Sequence, residues 1–184
     1  MKKFKSYYVL IWILVFIAFI NTLFYFFGAE GIVSAIGVEN TYLVIFLIAV
    51  TGGLSSLTGI ALFTSIATFA AGGAEPFLLA MVGGVGIFIS DSIFYFLIYY
   101  GRKSVPENWE ETFKKIEEWI EKYPNRVVLT GMYFYISFSP LPNDLLMAAL
   151  VIGGYSYKRI VWVLLAGSFT VAFITAYLGK IILG

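Results

Sequence analysis

Two apolar stretches, residues 41–72 and 127–154, are each long enough to cross a bilayer, yet the placement of the charges requires that neither does. A straight helix over 41–72 would run about 46 Å at 1.5 Å per residue, well beyond the ~30 Å hydrocarbon layer. Each stretch is also interrupted near its middle by helix-weakening residues. These are Thr58-Gly59 in the first and Ser139-Pro140-Leu141-Pro142-Asn143-Asp144 in the second. Glycine costs about 1 kcal/mol against alanine in a helix interior, and short polar side chains can satisfy backbone groups freed at a break. Both stretches are therefore expected to enter the membrane and return.

The rest of the chain supplies the frame. Hydrophobic residues make up 60% of the 184 positions, and the mean hydropathy is +0.90. An all-α integral membrane protein of one domain, spanning 1–184, is expected. Residues 8–27 read as a first transmembrane helix. They follow Lys2, Lys3 and Lys5, and are too long for a signal-peptide core. Residues 77–100 form a second span, entered through Glu75-Pro76 and left at Gly101-Arg102-Lys103. Residues 104–123 form an amphipathic helix for the cytoplasmic interface. Trp109, Phe113, Ile116, Ile120 and Tyr123 fall on one face, with acids early and lysines late. Residues 156–182 form the last span.

Sidedness follows from the basic residues. The positive-inside bias places Lys2, Lys3 and Lys5 in the cytoplasm, at the plasma membrane, with a cytoplasmic N-terminus. If 41–72 crossed, Arg102, Lys103, Lys114, Lys115, Lys122 and Arg126 would all lie outside. If it returns, all six are cytoplasmic. The same choice applies to 127–154, whose return keeps Lys158 and Arg159 inside and leaves only Lys180 outside. The two returns enter from opposite faces, with Gly73 outside and Gly154 inside.

The halves echo one another. Ala71-Gly72-Gly73 resembles Ile152-Gly153-Gly154, and Gly86 and Gly167 follow at the same distance. On that offset Thr58-Gly59 coincides with Ser139-Pro140. After a short gap, Tyr99-x-Gly101-Arg102 resembles Tyr177-x-Gly179-Lys180. The pattern predicts an inverted repeat of hairpin plus transmembrane helix, an arrangement that places a transporter's site at the midplane.

Chemistry is narrowed by what is missing. There is no Cys and no His. Thiolate nucleophiles, imidazole bases and the common zinc ligands are thereby removed. No enzyme activity, metal or other cofactor is expected. An intramembrane aspartyl protease would need G-x-G-D contexts that neither Asp91 nor Asp144 has. Asp91 lies about 14 Å from the cytoplasmic end of its helix. Intramembrane acids there usually face a cavity or a partner. It is expected to line a substrate or ion pathway with Asn143, Asp144, Ser139, Thr58 and Tyr95. Asn143 and Asp144 could equally cap the helix that follows. Arg126 and Arg102 are the candidates for headgroup or phosphate contact.

Two segments carry a resemblance to a known family. Ser90-Asp91-Ser92-Ile93-Phe94-Tyr95, followed by Gly101-Arg102, resembles a motif G-D-x-x-x-Y with G-R beyond it. Ser137-Phe138-Ser139-Pro140-Leu141-Pro142-Asn143 resembles R-F-x-P-x-x-R, with Ser137 and Asn143 in place of both arginines. Over roughly residues 41–179 the layout is similar to the DedA/VTT membrane proteins, which include lipid scramblases. The resemblance implies two facing re-entrant hairpins and flippase- or scramblase-like movement of a phospholipid or polyprenyl-phosphate headgroup. Membrane lipids are then the expected partners, with proton or cation coupling, and no nucleic acid. The alternative on the same scaffold is a proton- or ion-coupled exporter of small solutes, with Asp91 and Asp144 as coupling acids.

Overall fold

The computed structural model describes residues 37–52, 56–101, 122–139 and 143–183, together with Thr22, Phe26, Lys114, Lys115, Glu118 and Ile120. The expected first span at 8–27 falls outside the described residues except for Thr22 and Phe26, both helical. Most of the expected interfacial helix at 104–123 also falls outside them. Within it Lys114, Lys115 and Glu118 are helical and exposed, whereas Ile120 is buried against Gly153.

Six helices run through the described residues, with no strand among them: α1 Val38–Gly52, α2 Ser56–Ala71, α3 Pro76–Gly101, α4 Asn125–Phe138, α5 Asn143–Ile152 and α6 Tyr157–Leu183. Only α3, with 26 residues, and α6, with 27, are long and apolar enough to cross a membrane. They measure about 39 and 40 Å at 1.5 Å per residue. The 10 to 16 residues of the other four give only about 15–24 Å. The outward side chains are greasy: Ile60, Phe134, Trp162 and Ile181 are all more than half exposed. Such a surface suits contact with hydrocarbon rather than water.

Local chemistry sets the helix ends. Glu75 places its carboxylate under the first turn of α3, accepting the Leu78 N–H at 2.6 Å, and Pro76 opens the helix with its fixed φ. Ser139 is extended (φ −86°, ψ 133°) and ends α4. The residue before a proline, here Pro140, is pushed out of the helical region. α2 and α5 end in the same turn. Gly73 (φ 99°) and Gly154 (φ 74°) take the left-handed conformation. The next residues bond back across that turn, Ala74 N–H to the Phe69 carbonyl at 3.0 Å and Tyr155 N–H to the Leu150 carbonyl at 2.9 Å. This is the Schellman pattern, which glycine permits without a Cβ penalty.

The packing fixes directions. α3 and α6 are antiparallel. Phe77 meets Phe173 with ring centroids 5.6 Å apart, Gly84 lies against Phe169, and the Ser92 and Tyr157 hydroxyls are 2.8 Å apart. α1 runs beside α3 in the same direction. The Tyr42 hydroxyl accepts the Glu75 N–H at 3.0 Å, and further along Ile45 faces Gly83 and Ala49 presses on Gly86. Since α2 ends at Ala71, just before α3, residues 38–71 begin and end at the same end of α3. The second half behaves alike at the other end of the bundle. The Tyr155 hydroxyl donates to Asn125 at 3.0 Å where α4 and α6 begin, and Ile136 fills the notch at Gly167. The second limb of each pair crosses to the opposite half, α2 onto α6 and α5 onto α3.

Each half has its own core. One gathers Ile45, Leu62, Ile66, Phe69 and Leu79 with Ala172 and Ala176. The other gathers Tyr95, Met132, Ile136, Met147, Leu150, Ile160 and Leu164. The offset from Gly73 to Gly154 also relates buried Leu79 to Ile160, Gly86 to Gly167, Ile66 to Met147 and Phe69 to Leu150.

Two expectations about the break points are corrected. Thr58 and Gly59 lie inside α2, which runs from Ser56, so they do not break it. One glycine weakens a helix by only about 1 kcal/mol, less than packing on α6 can restore. The expected coincidence of Thr58-Gly59 with Ser139-Pro140 therefore fails, because α2 has 16 residues and α5 only 10. The likeness between Gly101 and Gly179 does not extend to their surroundings. Gly179 is buried against Ala67, while a Cβ on Gly101 would meet nothing within 4 Å.

Candidate functional site

A buried acid meets a polar side chain where α3 faces the start of α5. Asp91 lies ten residues from the end of α3, about 15 Å along the axis, and is 2% exposed. A carboxylate at the bilayer centre costs roughly 2.5–3.5 kcal/mol on insertion scales, so its surroundings must offset that cost. The Asn143 amide donates to Asp91 Oδ2 at 3.4 Å. Asp144, the next residue, is half-buried in the same first turn of α5. The first turn of α5 thus presents an amide to the buried acid, with a second acid beside it in sequence.

Two serines complete the setting. The hydroxyls of Ser90 and Ser137 are buried and have no hydrogen-bond partner among the described residues. A buried hydroxyl left in this state costs about 1–3 kcal/mol. Ser90 lies one turn beyond Gly86 on α3, next to Asp91, and Ser137 sits in the last turn of α4.

Of the residues singled out from sequence, the structure brings Asp91, Asn143 and Asp144 together. Ser139 is half-buried beside them as the cap of α4, its N–H bonded to the Tyr135 carbonyl at 3.0 Å. Tyr95 lies one turn from Asp91 and is turned to a different use: its hydroxyl donates to the Tyr155 carbonyl at 2.7 Å, bracing α3 to the turn before α6. Thr58 lies within α2, and its side chain is outside the described residues. Arg126 is exposed at the start of α4, at the opposite end of that helix from the cluster. Arg102 lies outside the described residues.

Sequence reasoning missed the buried, unbonded hydroxyls of Ser90 and Ser137. It also missed the braces from Tyr155 to Asn125 and from Tyr157 to Ser92. The available signal for the serines was their position within the two motif-like segments.

The electrostatic character is one-sided. Every described Lys and Arg is exposed, with Lys122, Arg126, Lys158 and Arg159 at the end where α6 begins and Lys180 at the other. The cluster itself holds acids, an amide and hydroxyls. Among the described residues no three acidic side chains converge as they would around a metal ion. The arrangement can accept hydrogen bonds, hold a cation or bind a proton.

A family model described as the VTT domain matches residues 27–181. No curated protein and no solved structure matches the chain.

Proposed function

The chain belongs to the VTT-domain family, and from that membership and its geometry we propose that it moves lipid headgroups across the bilayer, as a transporter and not an enzyme. The observation that carries this reading is the return of both helix pairs. Residues 38–71 begin and end at one end of α3, residues 125–152 begin and end at the other, and a polar cluster lies between. In a membrane such pairs are re-entrant hairpins entering from opposite leaflets. Irregular backbone at that depth is tolerated where it is buried in protein or lines a polar cavity. The inverted repeat of hairpin plus spanning helix is supported by the paired glycine turns and the reciprocal crossing of α2 and α5.

A headgroup would pass the polar residues while its chains stay in lipid. The exposed basic residues at the α6 entry support a cytoplasmic position for that end. In this reading the protein is multi-pass in the plasma membrane, with its N-terminus in the cytoplasm. Purified protein in vesicles carrying fluorescent phospholipids tests the reading. Protein should raise the rate at which inner-leaflet lipid becomes accessible to a membrane-impermeant quencher. Equal rates with and without protein, across several headgroups, would refute it.

The buried carboxylate of Asp91 favours one second reading, a proton- or cation-coupled exporter of small solutes. Solute movement driven by an imposed pH gradient, lost in Asp91→Asn, would establish it in place of lipid movement.

A further inference from the structure

The two halves share a scaffold but not their chemistry. The offset from Gly73 to Gly154 carries Asp91 onto Ala172, Tyr95 onto Ala176 and Leu62 onto Asn143. The seam between α2 and α6 is thus lined by Leu62, Ile66, Ala172 and Ala176, all buried and apolar, and is closed where Gly179 meets Ala67. The equivalent seam between α3 and α5 holds Asp91, Asn143 and Tyr95, with Asp144 following Asn143 in the first turn of α5. Packing alone would be served by apolar residues in both seams, as the first seam demonstrates. Ser90 and Ser137 provide an independent sign at the same depth, since their buried hydroxyls have hydrogen-bonding capacity that the described residues leave unfilled.

We propose that headgroups cross along the α3–α5 seam, and that this seam selects headgroups carrying an ammonium group over those that end in a bare phosphate. The inference rests on the lipid-translocation reading and adds a substrate class to it. An ammonium donates hydrogen bonds and brings positive charge, which complements Asp91, Asp144 and the Asn143 carbonyl. A terminal phosphate would bring negative charge beside two carboxylates, with no described Lys or Arg at that depth to receive it.

The full chain, reconstituted in phosphatidylcholine vesicles, would be assayed with labelled phosphatidylethanolamine and phosphatidic acid. Phosphatidylethanolamine should cross at least ~10-fold faster, the worth of one charge-assisted hydrogen bond. Asp91→Asn and Asn143→Leu should each reduce that rate ~10-fold or more and narrow the difference between the lipids. Free ethanolamine supplied outside the vesicles should not enter. In detergent, unmodified protein should be stabilised against heating by lysophosphatidylethanolamine and not by lysophosphatidic acid, a readout that needs no variant to fold. Equal rates for the two lipids, or variants with unchanged rates, would overturn the selection and leave lipid translocation standing. Movement of free ethanolamine would replace the lipid by a soluble amine. Movement of neither lipid would overturn both readings together.

Discussion

Tyr95 shows how a single side chain acquires its role from what faces it. Its ring is buried at the end of the polar seam, and its hydroxyl reaches the Tyr155 carbonyl in the turn that leads into α6. Tyr95→Phe keeps the ring and deletes the bond. Side-chain hydrogen bonds in membrane helices are worth about 0.6 kcal/mol on average and up to about 1.7. Tyr95→Phe is expected to fall at the upper end of that range, because it strands a carbonyl in the second core. Tyr100→Phe, at a position 63% exposed, should cost less than about 0.5 kcal/mol. Unfolding of both variants in mixed detergent micelles would check this, and equal losses would refute the brace. At this scale the sequence was partly legible. Asp91 stands out as a charge in an apolar run, and Asn143 and Asp144 as polar residues after a Pro-x-Pro break. Their convergence was not legible, because helical periodicity says nothing about which turn of one helix meets which turn of another. Ser90 and Ser137 were hidden for a different reason. Serine in an apolar helix usually bonds back to its own helix, as Ser65, Ser92 and Ser168 do, so a serine that fails to do so carries no mark in the sequence.

At the scale of the element, glycine has three different meanings here, and the sign and size of a substitution's effect depend on which applies. Gly73 and Gly154 adopt positive φ in matched turns, so Gly73→Ala and Gly154→Ala should each destabilise by about 1–2 kcal/mol. Gly59 lies inside α2, where an added Cβ would meet nothing within 4 Å. Gly59→Ala should therefore stabilise by up to about 1 kcal/mol. Gly179 is pressed against the backbone of Ala67. Gly179→Val must force α2 from α6, with a loss of about 1–3 kcal/mol or more, while Gly101→Val in open space should change little. Thermal unfolding of these five variants in one detergent would test the assignment, and a stabilised Gly154→Ala or a tolerated Gly179→Val would contradict it. The doubled glycines at the ends of α2 and α5 were legible because a Gly-Gly pair closing an apolar run has few other uses. Thr58-Gly59 was misread because the same residue type only weakens a helix when nothing needs its missing Cβ. Only a partner helix distinguishes the two cases.

For the whole molecule, the arrangement of ends matters more than any one contact. The charges already implied that 41–72 and 127–154 return to the sides they left, since crossing would scatter the basic residues. The contacts show the arrangement within the bundle: Tyr42 meets Glu75 at the start of α3, Asn125 meets Tyr155 at the start of α6, and α3 and α6 are antiparallel, so each helix pair begins and ends at one end of the bundle. What the charges could not supply was the exchange of second limbs between halves, because apolar faces do not specify their partners by composition. Glu75 and Ser156 are exposed residues just before α3 and α6, so each reports one end of the bundle without straining a glycine turn. The natural chain has no cysteine, so Glu75→Cys and Ser156→Cys each introduce a single thiol. In intact cells a membrane-impermeant maleimide should label Glu75→Cys from outside. On the proposed topology it should reach Ser156→Cys only after permeabilisation, because the positive-inside bias assigns the end carrying Lys158 and Arg159 to the cytoplasm. Labelling of both sites from one side would mean that α3 or α6 fails to cross. The hairpins would then share a leaflet, and the polar seam could not serve as a path between the two faces.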